Sequence, residues 1–137
     1  MSEKTEKAVA NHHKGYNCAQ SVACAFAEEL GVDEETLFRA AEAFGFGMGC
    51  MEVCGAVSGM TVAAGFNESD GNLEKPASKK KSYSVSKKMI NAFKEKNGSI
   101  ICREIKGVDT GKVLRSCDGC VEDAAEIVEQ YLKGELE

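Results

Sequence analysis

The sequence predicts an all-α protein, a single compact bundle of about five main helices. Three observations carry this. One proline stands in 137 residues, so little interrupts a helix. Alanine and glutamate, both good helix formers, are abundant. No stretch shows the apolar–polar alternation of a strand. The length suits one domain over residues 1–137 with a real hydrophobic core, and residues 1–14 are expected to pack loosely.

A short helix is expected around Glu3–His13, ending before Gly15. Asn17 caps the next, with Gln20 three residues on as in a capping box. Its apolar face is Ala19, Val22, Ala23, Phe26 and Leu30, and Gly31 ends it. Asp33 opens the third, where Glu34 and Glu35 suit the helix dipole and Leu37, Phe38, Ala41 and Phe44 face inward. Residues 45–49 (GFGMG) are too glycine-rich for a helix interior. The fourth helix, residues 54–64, is rich in Gly55, Ala56, Ser58, Gly59, Ala63 and Ala64. Side chains this small let another backbone, or a cofactor, approach closely, so this helix is expected to be central. A polar connection over residues 67–75 leads to Pro76, placed in the first turn of a fifth helix. That helix runs to about Lys96, with Val85, Met89, Ala92 and Phe93 inward, and Asn97-Gly98 stops it. Residues 102–105 read as one helical turn and residues 107–114 as a loop. Ser116 caps the last helix, whose stripe is Cys117, Cys120, Val121, Ala124, Val128, Tyr131 and Leu132.

Lys plus Arg number 17 against 22 Asp plus Glu, a net charge of −5. That favours solubility and argues against a nucleic-acid partner. Lys79 to Lys81 read as a solvated helix start, and the absence of tryptophan leaves no stacking platform. The first residues lack the apolar core of a signal peptide, and no apolar run is long enough to span a membrane. A cytoplasmic location is therefore expected, where thiols stay reduced. Seven cysteines, an odd number, then point to metal binding or redox chemistry rather than a disulfide framework.

Four of the seven share a placement. Cys18 follows Asn17, Cys54 opens the small-residue helix, Cys102 opens the short turn, and Cys117 follows Ser116. Free amides and the positive dipole end at a helix start favour thiolate, the form that binds metal and attacks disulfides. Cys24 lies off the apolar stripe of its helix and is expected at the surface, incidental or facing a partner. Cys50 precedes Cys54 by four residues, one turn if the helix reaches back. Cys120 follows Cys117 in a C-x2-C pair, which suits a redox pair or half a metal site, but no thioredoxin-like βαβ pattern surrounds it. Zinc-finger and ferredoxin spacings are both absent. His12 and His13, the only histidines, lie just ahead of Cys18, so one could join a site, but adjacent helical residues point apart and a surface position is expected. GFGMG lacks the preceding strand and the spacing of a dinucleotide loop. Glu68, Asp70 and Glu74 lack EF-hand spacing and read as solvated.

The segments Gly15-Tyr-Asn-Cys18-Ala-Gln-Ser-Val22, Gly47-Met-Gly49, Cys54-Gly-Ala-Val-Ser-Gly59, Cys102-Arg-Glu-Ile105 and Cys117-x-x-Cys120-Val121 resemble the C_GCAxxG_C_C family of redox-active proteins. The likeness runs from about Gly15 to Tyr131. It implies that the family's four cysteines fall on Cys18, Cys54, Cys102 and Cys117, with Cys24, Cys50 and Cys120 as additions. Cys120 then stands where relatives often carry an aromatic residue.

The leading expectation is an iron–sulfur cluster held by Cys18, Cys54, Cys102 and Cys117, for electron transfer or redox sensing with a partner protein. The Gly-rich run before Cys54 would let backbone amides reach the cluster. A metal-free thiol–disulfide protein is the alternative, and a structural zinc site in an interaction domain is the third. The surface placement of Cys24 and the small-residue helix leave room for a homodimer.

Overall fold

The computed structural model describes residues 2–137. Among these the chain is helical without strands, and the one β feature is an isolated antiparallel bridge between Val53 and Ile101. The all-α expectation holds. The helix number differs: there are eight helices, six of them of seven residues or more.

Helix α1 (Glu3–His13) begins where the Ser2 hydroxyl accepts from the Thr5 amide at 3.2 Å. Expected to be loose, this segment instead lies against the last helix, with Thr5, Ala8 and Asn11 buried. The Asn17 capping box is present: the Gln20 amide donates to Asn17 Oδ1 at 2.9 Å, and the Asn17 amide donates to Gln20 Oε1 at 3.0 Å. The helix it starts does not run unbroken to Leu30. It divides into α2 (Cys18–Cys24) and α3 (Ala27–Leu30). At the break the Phe26 amide bonds to Ala23, three residues back instead of four, and this tighter turn tucks the Phe26 ring fully into the core.

Asp33 caps α4 (Glu34–Ala41), accepting from the Thr36 amide at 2.9 Å. Leu37 and Ala41 are fully buried. Phe38 is only half-buried, edge-on to the Tyr16 ring at 4.9 Å. Helix α5 (Gly55–Glu68) continues four residues beyond its expected end. Helix α6 (Lys79–Asn97) starts after Pro76, not at it. The Asp70 carboxylate accepts from the Asn72 and Ala77 amides at 2.9 and 3.1 Å, which closes this stretch as a polar loop containing Pro76. Helix α7 (Cys102–Lys106) and helix α8 (Cys117–Leu132) complete the chain, the latter capped by Ser116, which accepts from the Gly119 amide at 3.0 Å.

Helix α5 is the hub: α2, α6 and α8 all pack on it. Its glycines decide how closely. A Cβ added at Gly59 would stand 2.7 Å from the Ala19 carbonyl oxygen and 3.1 Å from Val22 Cβ, so the neighbour admitted there is the backbone of α2. Phe26, Met60, Met89, Phe93 and Ile127 fill the core around this contact, each side chain worth roughly 1.5–3 kcal/mol of burial. Among the described residues no helix is long and apolar enough to cross a membrane.

Candidate functional site

Four helices begin at one cavity. Cys18 is the first residue of α2, Cys54 caps α5, Cys102 is the first residue of α7 and Cys117 the first of α8. All four line a cavity of about 190 Å³, and so does Cys120, one turn into α8. Asn17, Phe46, Gly47, Gly55, Ile105, Lys106, Arg115 and His12 complete its wall. The convergence comes from the backbone. The Val53–Ile101 bridge clamps two of the cysteine segments together: the Cys54 amide donates to the Ile100 oxygen at 2.7 Å and the Cys102 amide to the Glu52 oxygen at 2.6 Å. A Cβ at Gly55 would sit 3.1 Å from Cys18 Cβ, so glycine lets the starts of α2 and α5 meet.

The loop between α4 and α5 is strained. Phe46, Met48 and Met51 take φ of 55°, 59° and 60°, left-handed values that cost a non-glycine residue about 1–3 kcal/mol. Gly47 within it lines the cavity, and a Cβ there would stand 2.5 Å from the Glu52 amide nitrogen and 3.0 Å from Cys102 Cβ. Phe46 is half-exposed, with Lys106 Nζ 5.7 Å from its ring centre.

The sulfurs stand in pairs. The ionisation of Cys117 is tied to Cys18, and that of Cys54 to Cys120. Within each pair one sulfur takes the charge and the other keeps the proton. The hydrogen bond from Cys18, helped against burial by Lys106 and His12, holds Cys117 down at about 5. The hydrogen bond from Cys120 brings Cys54 to about 7. The Ala56 and Val57 amides also lower it, although no cap hydrogen bond of ordinary geometry closes on the sulfur. Cys18 and Cys120 are raised, each first by its bond to the ionised partner and then by burial. Cys102 is raised by burial, against the opposing charge of Lys106. Thiolate was expected at all four helix starts, and only Cys54 and Cys117 are shifted that way. Neighbouring sulfurs repel as like charges, so a helix dipole cannot ionise every member of the group.

Lys106 escaped the sequence reading. Its Nζ donates to Cys117 Sγ at 3.4 Å. Burial works against its charge, and the charges of Cys117, Cys102 and Cys18 outweigh burial and raise its pKa. Arg115, also on the wall, is fixed by Asp123 at 3.1 Å. His12 and His13 do not point apart. Both rings reach the Asp118 carboxylate, at 2.5 and 2.8 Å, with His12 facing the cavity.

Two cysteines correct the sequence reading and stay outside the site. Cys24 is fully buried, not at the surface, because α1, α4, α5 and α8 enclose α2. Its thiol faces the Glu34 carbonyl, and burial raises it to about 11. Cys50 is exposed in the strained loop, since α5 does not reach back to it, and its thiol donates to the Gly47 oxygen at 3.5 Å. The acidic residues of the polar connection also have structural duties: Asp70 ties its loop, and Glu68 accepts from the Tyr131 hydroxyl and faces Lys81 at 3.4 Å.

Among the described residues no group of three or more His, Cys, Asp or Glu side chains closes around a single metal ion. The family model described as "Putative redox-active protein (C_GCAxxG_C_C)" matches residues 16–131, and the chain belongs to that family. No curated protein and no solved structure matches it.

Proposed function

From its membership of this redox-active family, we propose that the protein's redox chemistry takes place in the cysteine cavity, and that the cavity takes an iron–sulfur cluster for electron transfer or redox sensing. One observation carries this reading: five sulfurs from four separate segments wall a cavity of about 190 Å³. A disulfide occupies only the space between two sulfurs and needs no cavity beside it. An all-thiol donor set is soft and suits iron–sulfur ligation. A lone zinc ion finds less support, because three or four ligands would have to close on one point and none among the described residues do.

The chain's own residues divide the work. Cys54 and Cys117, the sulfurs most readily ionised, would hold the cluster together with Cys18 and Cys102. Ligation by Cys18 and Cys102 would require both thiols to lose their protons. Lys106 sets a positive charge beside this anionic group. Gly47 and Gly55 present bare backbone at the wall, and Phe46 flanks it at the surface. When bound, the cluster supplies one-electron exchange at cysteine-ligated iron.

Purification without oxygen, followed by measurement of iron, zinc and acid-labile sulfide per chain, tests this. Near-stoichiometric iron and sulfide is expected. Zinc alone, or no iron uptake on reconstitution, overturns it. The metal-free reading draws on the Cys18–Cys117 pair, a thiolate at about 5 beside a protonated thiol, as a nucleophile and its resolving partner would be. It requires a Cys18–Cys117 disulfide after mild oxidation of a chain that binds no iron.

A further inference from the structure

The cavity contains one sulfur more than the family's four-cysteine signature uses, and its place in the fold is specific. Cys120 sits one turn into α8, 2% exposed, where α8 packs on α5. Cys54, 6% exposed, caps α5 on the wall of the same cavity. Of the five cavity sulfurs, these two are the buried members of the main core cluster, whereas Cys50, nearer to Cys54 in sequence, faces solvent. A buried thiol of this kind that only filled the core would have no reason to adjoin a second sulfur on a cavity wall.

The geometry points to a Cys54–Cys120 disulfide site, formed by exchange with a small disulfide and withdrawing Cys54 from ligation. The sulfur of Cys54, its proton released to solvent, attacks one sulfur of the small disulfide. The S–S bond breaks, a mixed disulfide forms, and the first small thiolate leaves and takes a proton from solvent. The Cys120 sulfur then attacks Cys54 Sγ and expels the second small thiolate, which takes the Cys120 proton. Two protein thiols are oxidised by two electrons, and the small disulfide is reduced to two thiols. The withdrawal of Cys54 rests on the cluster reading; formation of the bond does not.

The test uses the full, metal-free, reduced chain treated with oxidised glutathione, then blocked with iodoacetamide and digested with trypsin without reduction. Cys50 shares a tryptic peptide with Cys54, and Cys117 shares one with Cys120. The Cys50→Ser, Cys117→Ser double variant therefore leaves one cysteine on each, and wild type is mapped in parallel by fragmentation. The expected result is a Cys54–Cys120 cross-linked peptide in both chains, lost in Cys120→Ala. Cys54 and Cys120 both alkylated, or linked to other partners, would overturn the proposal. This readout needs no iron, so it stands apart from the cluster assay. In a chain shown to load iron, the linked form should take up none until reduced; uptake with the link intact would refute the withdrawal of Cys54.

Discussion

Replacing Lys106 with Met removes the ammonium in contact with Cys117 while keeping an apolar stem of similar length. The Nζ–Sγ separation is 3.4 Å, at which two unit charges attract by about 5 kcal/mol for an effective dielectric of about 20. Both groups are half-exposed, so water screens much of this, and a hydrogen bond to a charged group nets about 1.5–3 kcal/mol. One pKa unit corresponds to about 1.36 kcal/mol. The largest influence on Cys117, its bond from Cys18, remains in the variant. The low end therefore applies, and the Cys117 midpoint should rise from about 5 by about one unit. The assay is the pH dependence of Cys117 alkylation in the reduced, metal-free chain, followed peptide by peptide, with Lys94→Met as the control. Stability follows the same sign. The folded Cys117 value lies below the ordinary thiol value of about 8.5, so its contribution is complete above that pH and falls away as pH drops through about 5. Lys106→Met should therefore destabilise the fold more at pH 8 than at pH 5. An unmoved alkylation midpoint, or an equal shift in the Lys94 variant, would refute the electrostatic role of Lys106.

Two glycines of α5 should behave in opposite ways. Gly59→Ala places a methyl 2.7 Å from the Ala19 oxygen and should cost about 1–3 kcal/mol in urea unfolding. Gly65→Ala meets nothing within 4 Å and should stabilise by about 0.5–1 kcal/mol; equal effects would refute the α2–α5 contact as the cause. Asn17→Ala removes a capping box and should cost about 1 kcal/mol in the same assay, with Asn17→Asp costing less. Cys24→Ser should lower the melting temperature while leaving iron and sulfide content unchanged, because its thiol is buried beside Glu34 and away from the cavity; a loss of iron per folded chain would contradict this.

The helix starts were legible because their signals are local. Asn17 with Gln20, Asp33 and Ser116 each cap within three residues of themselves, and these contacts are present. The shared placement of Cys18, Cys54, Cys102 and Cys117 at helix starts was visible for the same reason. That four starts meet at one cavity depends on the Val53–Ile101 bridge and on the fit of Gly55 against Cys18, neither of which a local pattern encodes. Cys120 had a signal in its C-x2-C spacing, one turn along the same face, and setting it aside as an addition missed the pairing with Cys54. Lys106 carried no signal and His12 only its nearness to Cys18, since each reaches the site only once α1, α7 and α8 are assembled. Cys24 was misplaced because a single apolar stripe describes a helix with one buried face, whereas α2 is enclosed by four neighbours. The start of α6 was read from Pro76, but Asp70 had already committed that proline to a closed loop.

Whether the cavity cysteines hold an iron–sulfur cluster is decided by iron and sulfide loading in cysteine variants. Wild type, Cys54→Ser, Cys117→Ser and Cys50→Ser would be reconstituted side by side without oxygen, and both elements measured per folded chain. Near-stoichiometric loading is expected in wild type and Cys50→Ser, and its loss in Cys54→Ser and Cys117→Ser. Loading unchanged in those two variants, or absent from wild type, would contradict the cluster reading.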